Sequence, residues 1–208
     1  MLRLKELFSI IIVTIILGIV ISLVESLNLF LMISLFVFLA IFVNVAAKKI
    51  FSYYLDTEIE VKIWEMKQFG IKKHLHFRKP ILAGIFAPLI IKFVSVGIIN
   101  WMACLTFDTS GKVYRAAKRH GIYSFSEVTE EEMGWIAGAG IIANLLFAVV
   151  AYMIGQESLA KISITYAFFN MIPAFDWDGA KIFFGNIPFW SFLAIISSIA
   201  MIATIVVV

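Results

Sequence analysis

The residues best suited to chemistry lie together at the end of an apolar segment, in the run Asn170-Met171-Ile172-Pro173-Ala174-Phe175-Asp176-Trp177-Asp178-Gly179. Pro173 has no backbone N–H and breaks a helix, which leaves carbonyl groups that the side chain of Asn170 is placed to satisfy. Carboxylates at membrane depth are costly and usually serve a function. The same run also fits a plain helix end, with both Asp residues in water and Trp177 at the interface.

Metal ligands are scarce in this chain. A catalytic zinc ion usually needs about three protein ligands and one open position. The three histidines are His74, His76 and His120, and the one cysteine is Cys104. His74 and His76 would project to one side of a strand, with Asp178 as a third ligand. The cations around them disfavour a metal ion, and the basic run is better suited to anionic lipid headgroups.

The composition is that of an integral membrane protein. Of the 208 residues, 62% are hydrophobic and 15% are charged, whereas soluble domains are roughly 45–50% apolar and about 25% charged. This balance excludes soluble, disordered and nucleic-acid-binding proteins, and one cysteine excludes an intrachain disulfide. A membrane-spanning helix needs about 20 apolar residues. Five segments qualify: Leu7–Val24, Leu27–Ala47, Trp135–Ile154, Leu159–Phe175 and Phe189–Val208.

The distribution of Lys and Arg residues indicates whether the apolar segment 81–107 crosses the membrane or re-enters on the same side. The loop 48–80 is rich in Lys and Arg, the loop 108–134 holds four more, and the tight turns hold none. Cytoplasmic loops carry the excess of Lys and Arg, so both basic loops and the N-terminus are expected in the cytoplasm. Segment 81–107 must then enter and leave on one side. The expected fold is a membrane all-α bundle of five crossings plus this re-entrant segment; six crossings are the alternative.

Two local patterns refine this single integral membrane domain, residues 1–208. Glu58–Ile63 alternates charged and β-branched residues with a period of two, which predicts a short strand after the second helix. Segments 96–107 and 112–114 are further candidate strands. Thr129 and Glu132 form a capping box, so the next helix begins near Thr129, outside the bilayer.

The run around Asp178 resembles a known motif. Asn170-x-x-Pro173 followed by Asp178-Gly179 is similar to the motif on the third core helix of the site-2 protease family of intramembrane zinc metalloproteases. Ala139-Gly140-Ile141-Ile142-Ala143-Asn144 resembles that family's Ala-Gly-Pro-x-x-Asn, with Ile141 in place of the usual Pro. The resemblance covers about residues 27–190. It implies three core helices around a membrane-embedded cleft, with Asp178 as a zinc ligand.

The family's His-Glu-x-x-His motif is missing from this chain. The best alignment puts it at Val43-Asn44-Val45-Ala46-Ala47, at the end of the second span. Val43 and Ala47 offer no lone pair, and Asn44 cannot act as a general base. Asp178 is then a vestigial ligand, and Asp178→Ala is expected to be tolerated unless Lys48 or Lys181 has become its partner.

The sequence therefore predicts a non-catalytic relative of these proteases in the plasma membrane, with no cofactor. Its expected partners are the lipid bilayer and the transmembrane helices or extended peptides of other proteins, and Asn144, Asn170, Pro173, Asp178 and Gly179 are the expected groove or motif residues. Edge pairing by Glu58–Ile63 would supply affinity without chemistry. Two alternatives stay open: an active zinc protease with an atypical ligand set, and a small transporter or channel whose broken helix forms a transport site.

Overall fold

The computed structural model describes residues 3–23, 25–68, 76–112 and 128–206. The helices are α1 (Leu4–Ser22), α2 (Leu27–Tyr54), α3 (Ala83–Val94), α4 (Glu130–Met153), α5 (Glu157–Asn170), α6 (Asp178–Gly185) and α7 (Ile187–Val206). The strands are β1 (Thr57–Ile63), β2 (Met66–Gln68), β3 (His76–Ile81) and β4 (Leu105–Gly111).

Four of the described helices, α1, α2, α4 and α7, are long and apolar enough to cross a membrane. Each coincides with a predicted span, and the protein is an integral membrane protein of mainly helical fold. Their buried faces share one apolar core, which also takes in side chains from β1, β4, α5 and α6.

Two predicted spans have different ends in the structure. Helix α2 continues to Tyr54, seven residues past Ala47, because the sequence contains no helix breaker there. Lys48 and Lys49 therefore belong to the helix and not to a loop. Helix α5 ends at Asn170 and not at Phe175, because Pro173 cannot donate a backbone hydrogen bond. With 14 residues, α5 is not among the described helices that are long and apolar enough to cross a membrane, unlike the other four predicted spans. The side-chain amide of Asn170 donates to the carbonyl oxygen of Tyr166 at 2.9 Å.

The predicted strand and capping box are both present. β1 pairs antiparallel with β4, with Val61 opposite Phe107, and its side chains alternate between buried and exposed up to Val61. β4 begins at Leu105, near the end of candidate segment 96–107. Lys112 follows β4, and the remainder of candidate 112–114 lies outside the described residues. Thr129 and Glu132 exchange hydrogen bonds at the start of α4, as the capping box requires.

Several helix ends meet at the sheet end, which we define as the end of the bundle where β1 and β4 lie. Glu6 of α1 and Arg3, the residue before this helix, contact β1, and Lys48 near the end of α2 contacts the first residue of α6. The starts of α4 and α6 are also adjacent, since a Cβ on Gly134 would lie 3.1 Å from the carbonyl oxygen of Lys181.

Both ends of the segment around α3 meet at Trp64. The Trp64 amide donates to the carbonyl of Cys104 at 2.8 Å, and the Gly84 amide donates to the carbonyl of Trp64 at 2.9 Å. α3 has 12 residues and is about 18 Å long, well short of the roughly 30 Å of hydrocarbon. The chain thus leaves the sheet end at Gly84 and returns to it at Cys104.

The variant Gly84→Ala tests whether the two ends of the segment around α3 meet in this way. A Cβ on Gly84 would overlap the carbonyl oxygen of Cys104 and crowd the side chain of Ile63. We expect the substitution to lower the free energy of unfolding by about 1–3 kcal/mol, the usual cost of overpacking. Unfolding in mixed detergent measures it, and an unchanged stability would contradict the observed meeting of the two ends.

Candidate functional site

The turn between α5 and α6 sets the position of Asp178. Gly179 packs directly on the backbone of Met171, where a Cβ would overlap the Met171 carbonyl oxygen. The indole N–H of Trp190 in α7 donates to this same carbonyl at 3.1 Å. The chain after Pro173 therefore folds back onto the end of α5, and Asp178 begins α6 as a fully buried residue.

Asp178 forms a buried ion pair with Lys48 of α2. The Lys48 ammonium lies 2.6 Å from Oδ2 of Asp178, and the two side chains are 7% and 1% exposed. Taking two charges out of water is costly, and close pairing offsets that cost only when the geometry is good. Each member of the pair therefore depends on the other.

Helix α4 packs against this pair through Gly140. A Cβ on Gly140 would lie 2.6 Å from Cε of Lys48 and 2.8 Å from Nδ2 of Asn44. Residues four apart on a helix share a face, so Asn44 lies one turn from Lys48, and Asn144 one turn from Gly140. A larger residue at position 140 would therefore require the Lys48 stem and the Asn44 amide to shift.

The centre of the site is rich in polar atoms that have no protein partner within the described part of the chain. They are both amide atoms of Asn44, both amide atoms of Asn144, and Oδ1 of Asp178. All three residues are fully buried. Buried polar groups are usually hydrogen-bonded to protein or to ordered water, so these five atoms form a polar centre with capacity for further hydrogen bonds.

Strand β4 closes the site from the sheet end. Two ammonium groups lie close to the Phe107 ring, with Lys48 Nζ at 4.9 Å and Lys181 Nζ at 4.2 Å from its centroid. Lys181 donates to the carbonyl of Phe107 at 2.7 Å and pairs with Asp176 at 3.2 Å. Burial lowers the pKa of Lys181, and the nearby carboxylates Asp176 and Asp178 oppose this shift.

The structure brings together some of the predicted site residues. Asn44 and Asp178 are buried on the elements that meet at Lys48, and Asn144 lies one turn along α4 from the contact at Gly140. Val43 and Ala47 are only half-buried, and the α2 residue that binds Asp178 is Lys48, one position after Ala47.

The other predicted residues lie in the turn between α5 and α6, at the start of β3, or outside the residues that the structure describes. Asn170 and Pro173 end α5, and Gly179 allows the close return of the chain. His74 and His120 lie outside the described residues, and His76 begins β3. In the described ranges, no three His, Cys, Asp or Glu side chains form a group that would hold a metal ion.

Lys48 is the main site residue whose role the sequence does not determine. From the sequence, Lys48 and Lys181 are both possible partners of Asp178. The four-residue spacing between Asn44 and Lys48 is the pattern that points to Lys48, once the helix is known to continue past Ala47.

Comparisons of the chain with family models, curated proteins and solved structures give no match.

Removing either member of the buried pair is expected to destabilise the protein strongly. We expect Lys48→Met or Asp178→Leu alone to cost about 3–5 kcal/mol of unfolding free energy, because each leaves an unpaired buried charge. The double variant Lys48→Met/Asp178→Leu should cost less than either single change. Unfolding in mixed detergent measures all three variants.

The pair formed by Lys62 and Asp108 is the matched control. Its atoms lie 2.5 Å apart, but its side chains are 35% and 62% exposed. Lys62→Met should change the unfolding free energy by at most about 1 kcal/mol, as is usual for surface pairs. Equal effects of Lys48→Met and Lys62→Met would show that the Lys48 pair carries no special importance.

Proposed function

We propose that the protein is a non-catalytic relative of the site-2 protease family that binds transmembrane or extended peptide segments of other membrane proteins. One observation carries the proposal: the ammonium of Lys48 lies on the carboxylate of Asp178, the residue that corresponds to a zinc ligand in the resemblance. A fixed positive charge from the chain itself thus stands where the family would hold a metal ion.

The contacts among the three resembling segments support this kinship. Gly140 of the Ala-Gly…Asn segment touches Lys48 and Asn44, and Lys48 binds Asp178 of the Asp-Gly segment. Asn44 and Lys48 have the four-residue spacing of the two histidines in His-Glu-x-x-His, although one residue later than the best sequence alignment. A shared scaffold accounts for three unrelated sequence segments meeting at one side chain.

The side chains around Asp178 do not fit a zinc ion. Lys48 brings a positive charge to Oδ2 of Asp178, and Asn44 and Asn144 offer only neutral amides. Zinc in proteins is held by thiolate, imidazole and carboxylate groups. Without a metal-bound water, hydrolysis has no activated nucleophile, whereas the scaffold that would hold a peptide remains.

The proposed arrangement in the membrane has five crossings and one re-entrant segment, with the N-terminus in the cytoplasm. Helix α5 has only 14 residues, but it is counted as a crossing because it leads from the far end of α4 back to Asp178, which binds Lys48 at the sheet end. The meeting of Gly84 and Cys104 at Trp64 supports re-entry, since a crossing would separate the two ends. The residues after α3 are strongly apolar and exposed, with Val96 at 87% and Ile98 at 82%. The one described cation of this segment, Lys92, bonds the Asn100 side chain at 2.6 Å.

Cysteine labelling tests the re-entrant segment. In a Cys104→Ala background, a fluorophore on Val96→Cys or Ile98→Cys should be quenched by lipids that carry a nitroxide in the acyl chain. The same fluorophore on Ser110→Cys, an exposed position of β4, should not be quenched. Labelling of Val96→Cys by an impermeant reagent from outside the cell would contradict re-entry, because it requires a full crossing.

Metal analysis tests the proposed loss of catalysis. The purified parent is expected to hold no stoichiometric zinc and to leave an unfolded membrane-segment peptide uncut. Asn44→His/Lys48→His should bind about one zinc ion per chain, because two imidazoles then face Asp178 from one side of α2. Elemental analysis after dialysis gives the stoichiometry.

The matched control is Val43→His/Ala47→His, which uses the register of the sequence alignment. These positions are half-buried, so this pair should bind no zinc, and adding Asp178→Asn to the first pair should abolish its binding. Stoichiometric zinc in the parent would overturn the non-catalytic proposal. No zinc in either histidine pair would remove the geometric basis of the kinship.

A further inference from the structure

The two edges of β1 are in different environments. Its inner edge pairs with β4 along the whole strand. Successive residues of a strand direct their N–H and C=O groups to opposite edges, so Ile59 and Val61 present theirs to the outer edge. An extended peptide that adds to a sheet must pair with such groups.

A carboxylate from α1 already occupies this outer edge. The Val61 N–H donates to Oε1 of Glu6 at 3.0 Å, and Glu6 is fully buried. Lys49 holds the carboxylate with distances of 2.8 and 2.7 Å to its two oxygens, and it also approaches the carbonyl of Ile59 at 3.5 Å. Glu6 and Lys49 together provide the acceptor and donor that an added strand would provide.

The residues before Glu6 hold it in this position. The Arg3 N–H donates to Oε2 of Glu6 at 2.7 Å. The Arg3 guanidinium reaches Glu60 at 3.1 Å and Glu58 at 3.3 Å, on the exposed face of β1. Residues 3–6 therefore contact β1 at its outer edge, through Glu6, and on its exposed face, through Arg3.

Open space begins where this contact ends. A cavity of about 370 Å³ lies beside the first half of β1, lined by Thr57, Glu58 and Ile59 and by residues of α2, and Arg3 and Lys49 of the contact described above form part of its wall. Chain that enters this cavity in an extended form would run along β1 and meet the Glu6 carboxylate at Val61. The cavity and the occupied edge share Ile59 and Lys49, so an occupant of the cavity would lie next to the contact between Glu6 and Val61.

We propose that residues 3–6 act as an intramolecular competitor at the outer edge of β1, and that the ligand they compete with is an extended polypeptide segment. This inference rests on the proposed peptide-binding function and names its site and its regulation. Release of Glu6 frees the Val61 N–H for a peptide carbonyl, and the peptide then pairs with Ile59 and Val61 as an added strand.

The experiment uses the full chain in lipid nanodiscs and a fluorescent six-residue peptide of alternating Thr and Val as the probe. Glu6→Ala should bind this probe about tenfold more tightly than the parent does. Amide exchange at Val61 should also be faster in Glu6→Ala without the probe, and adding the probe should slow it. Glu6→Gln keeps an acceptor for the Val61 N–H, so its exchange at Val61 should stay near the parent's.

Asp108→Ala is the matched control, because it removes an exposed carboxylate of the same sheet, on β4, and leaves the contacts of Arg3, Glu6 and Lys49 in place. It should bind the probe as the parent does. Should Glu6→Ala fail to fold, the parent supplies the test, since saturating probe must speed exchange at the amide of Glu6.

The outcomes separate the two proposals. Equal binding to the parent and to Glu6→Ala would overturn the competitor and leave peptide binding intact. Tighter binding to Asp108→Ala as well would place the probe elsewhere and also overturn the competitor. No binding by any variant, at any soluble concentration of probe, would overturn both the competitor and this peptide site.

Discussion

A positive charge inside an apolar bundle must have a partner, and the arrangement around Asp178 follows from this constraint. Lys48 reaches Asp178 because α5 ends at Asn170 and the following turn folds back on Gly179. Its stem passes α4 where Gly140 has no side chain. Loss of the partner would leave a charge in the interior at a cost comparable to a large part of the stability of a typical protein.

A second ion pair, which is largely buried, holds the sheet against two helices. Lys49, the next residue of α2, binds Glu6 of α1, and Glu6 also accepts from the backbone of β1. Neighbouring residues on a helix point in directions about 100° apart. Lys48 therefore contacts α6, whereas Lys49 contacts α1 and the sheet. The last turns of α2 thereby link α1 and the sheet on one side to α4 and α6 on the other.

The two pairs give the proposed function a physical basis. A metal ion at Asp178 would polarise a water molecule, whereas an ammonium group neutralises the carboxylate and supplies no nucleophile. The protein would then keep the part of a protease that holds a peptide. The contact between Glu6 and β1 adds a condition for binding, because a peptide that pairs with this edge must displace a carboxylate already bound there.

The sequence by itself determined the elements whose causes are local. Apolar runs of about 20 residues gave the long helices, the alternation at Glu58–Ile63 gave β1, and Thr129 with Glu132 gave the start of α4. Pro173 gave the end of α5, because a missing N–H acts within one turn. Asp178 was also distinguished by its place after Pro173, and it is buried in an ion pair with Lys48.

Only the tertiary structure decided which side chains face each other. A shift of one residue on a helix turns a side chain by about 100°, so an alignment to Val43 and Ala47 could not be told from one to Asn44 and Lys48 by sequence spacing. The continuation of α2 to Tyr54 and the contact with Gly140 place Lys48, and not Ala47, against Asp178. Pairings such as Lys48 with Asp178 join residues 130 positions apart, and they depend on how several helices pack together.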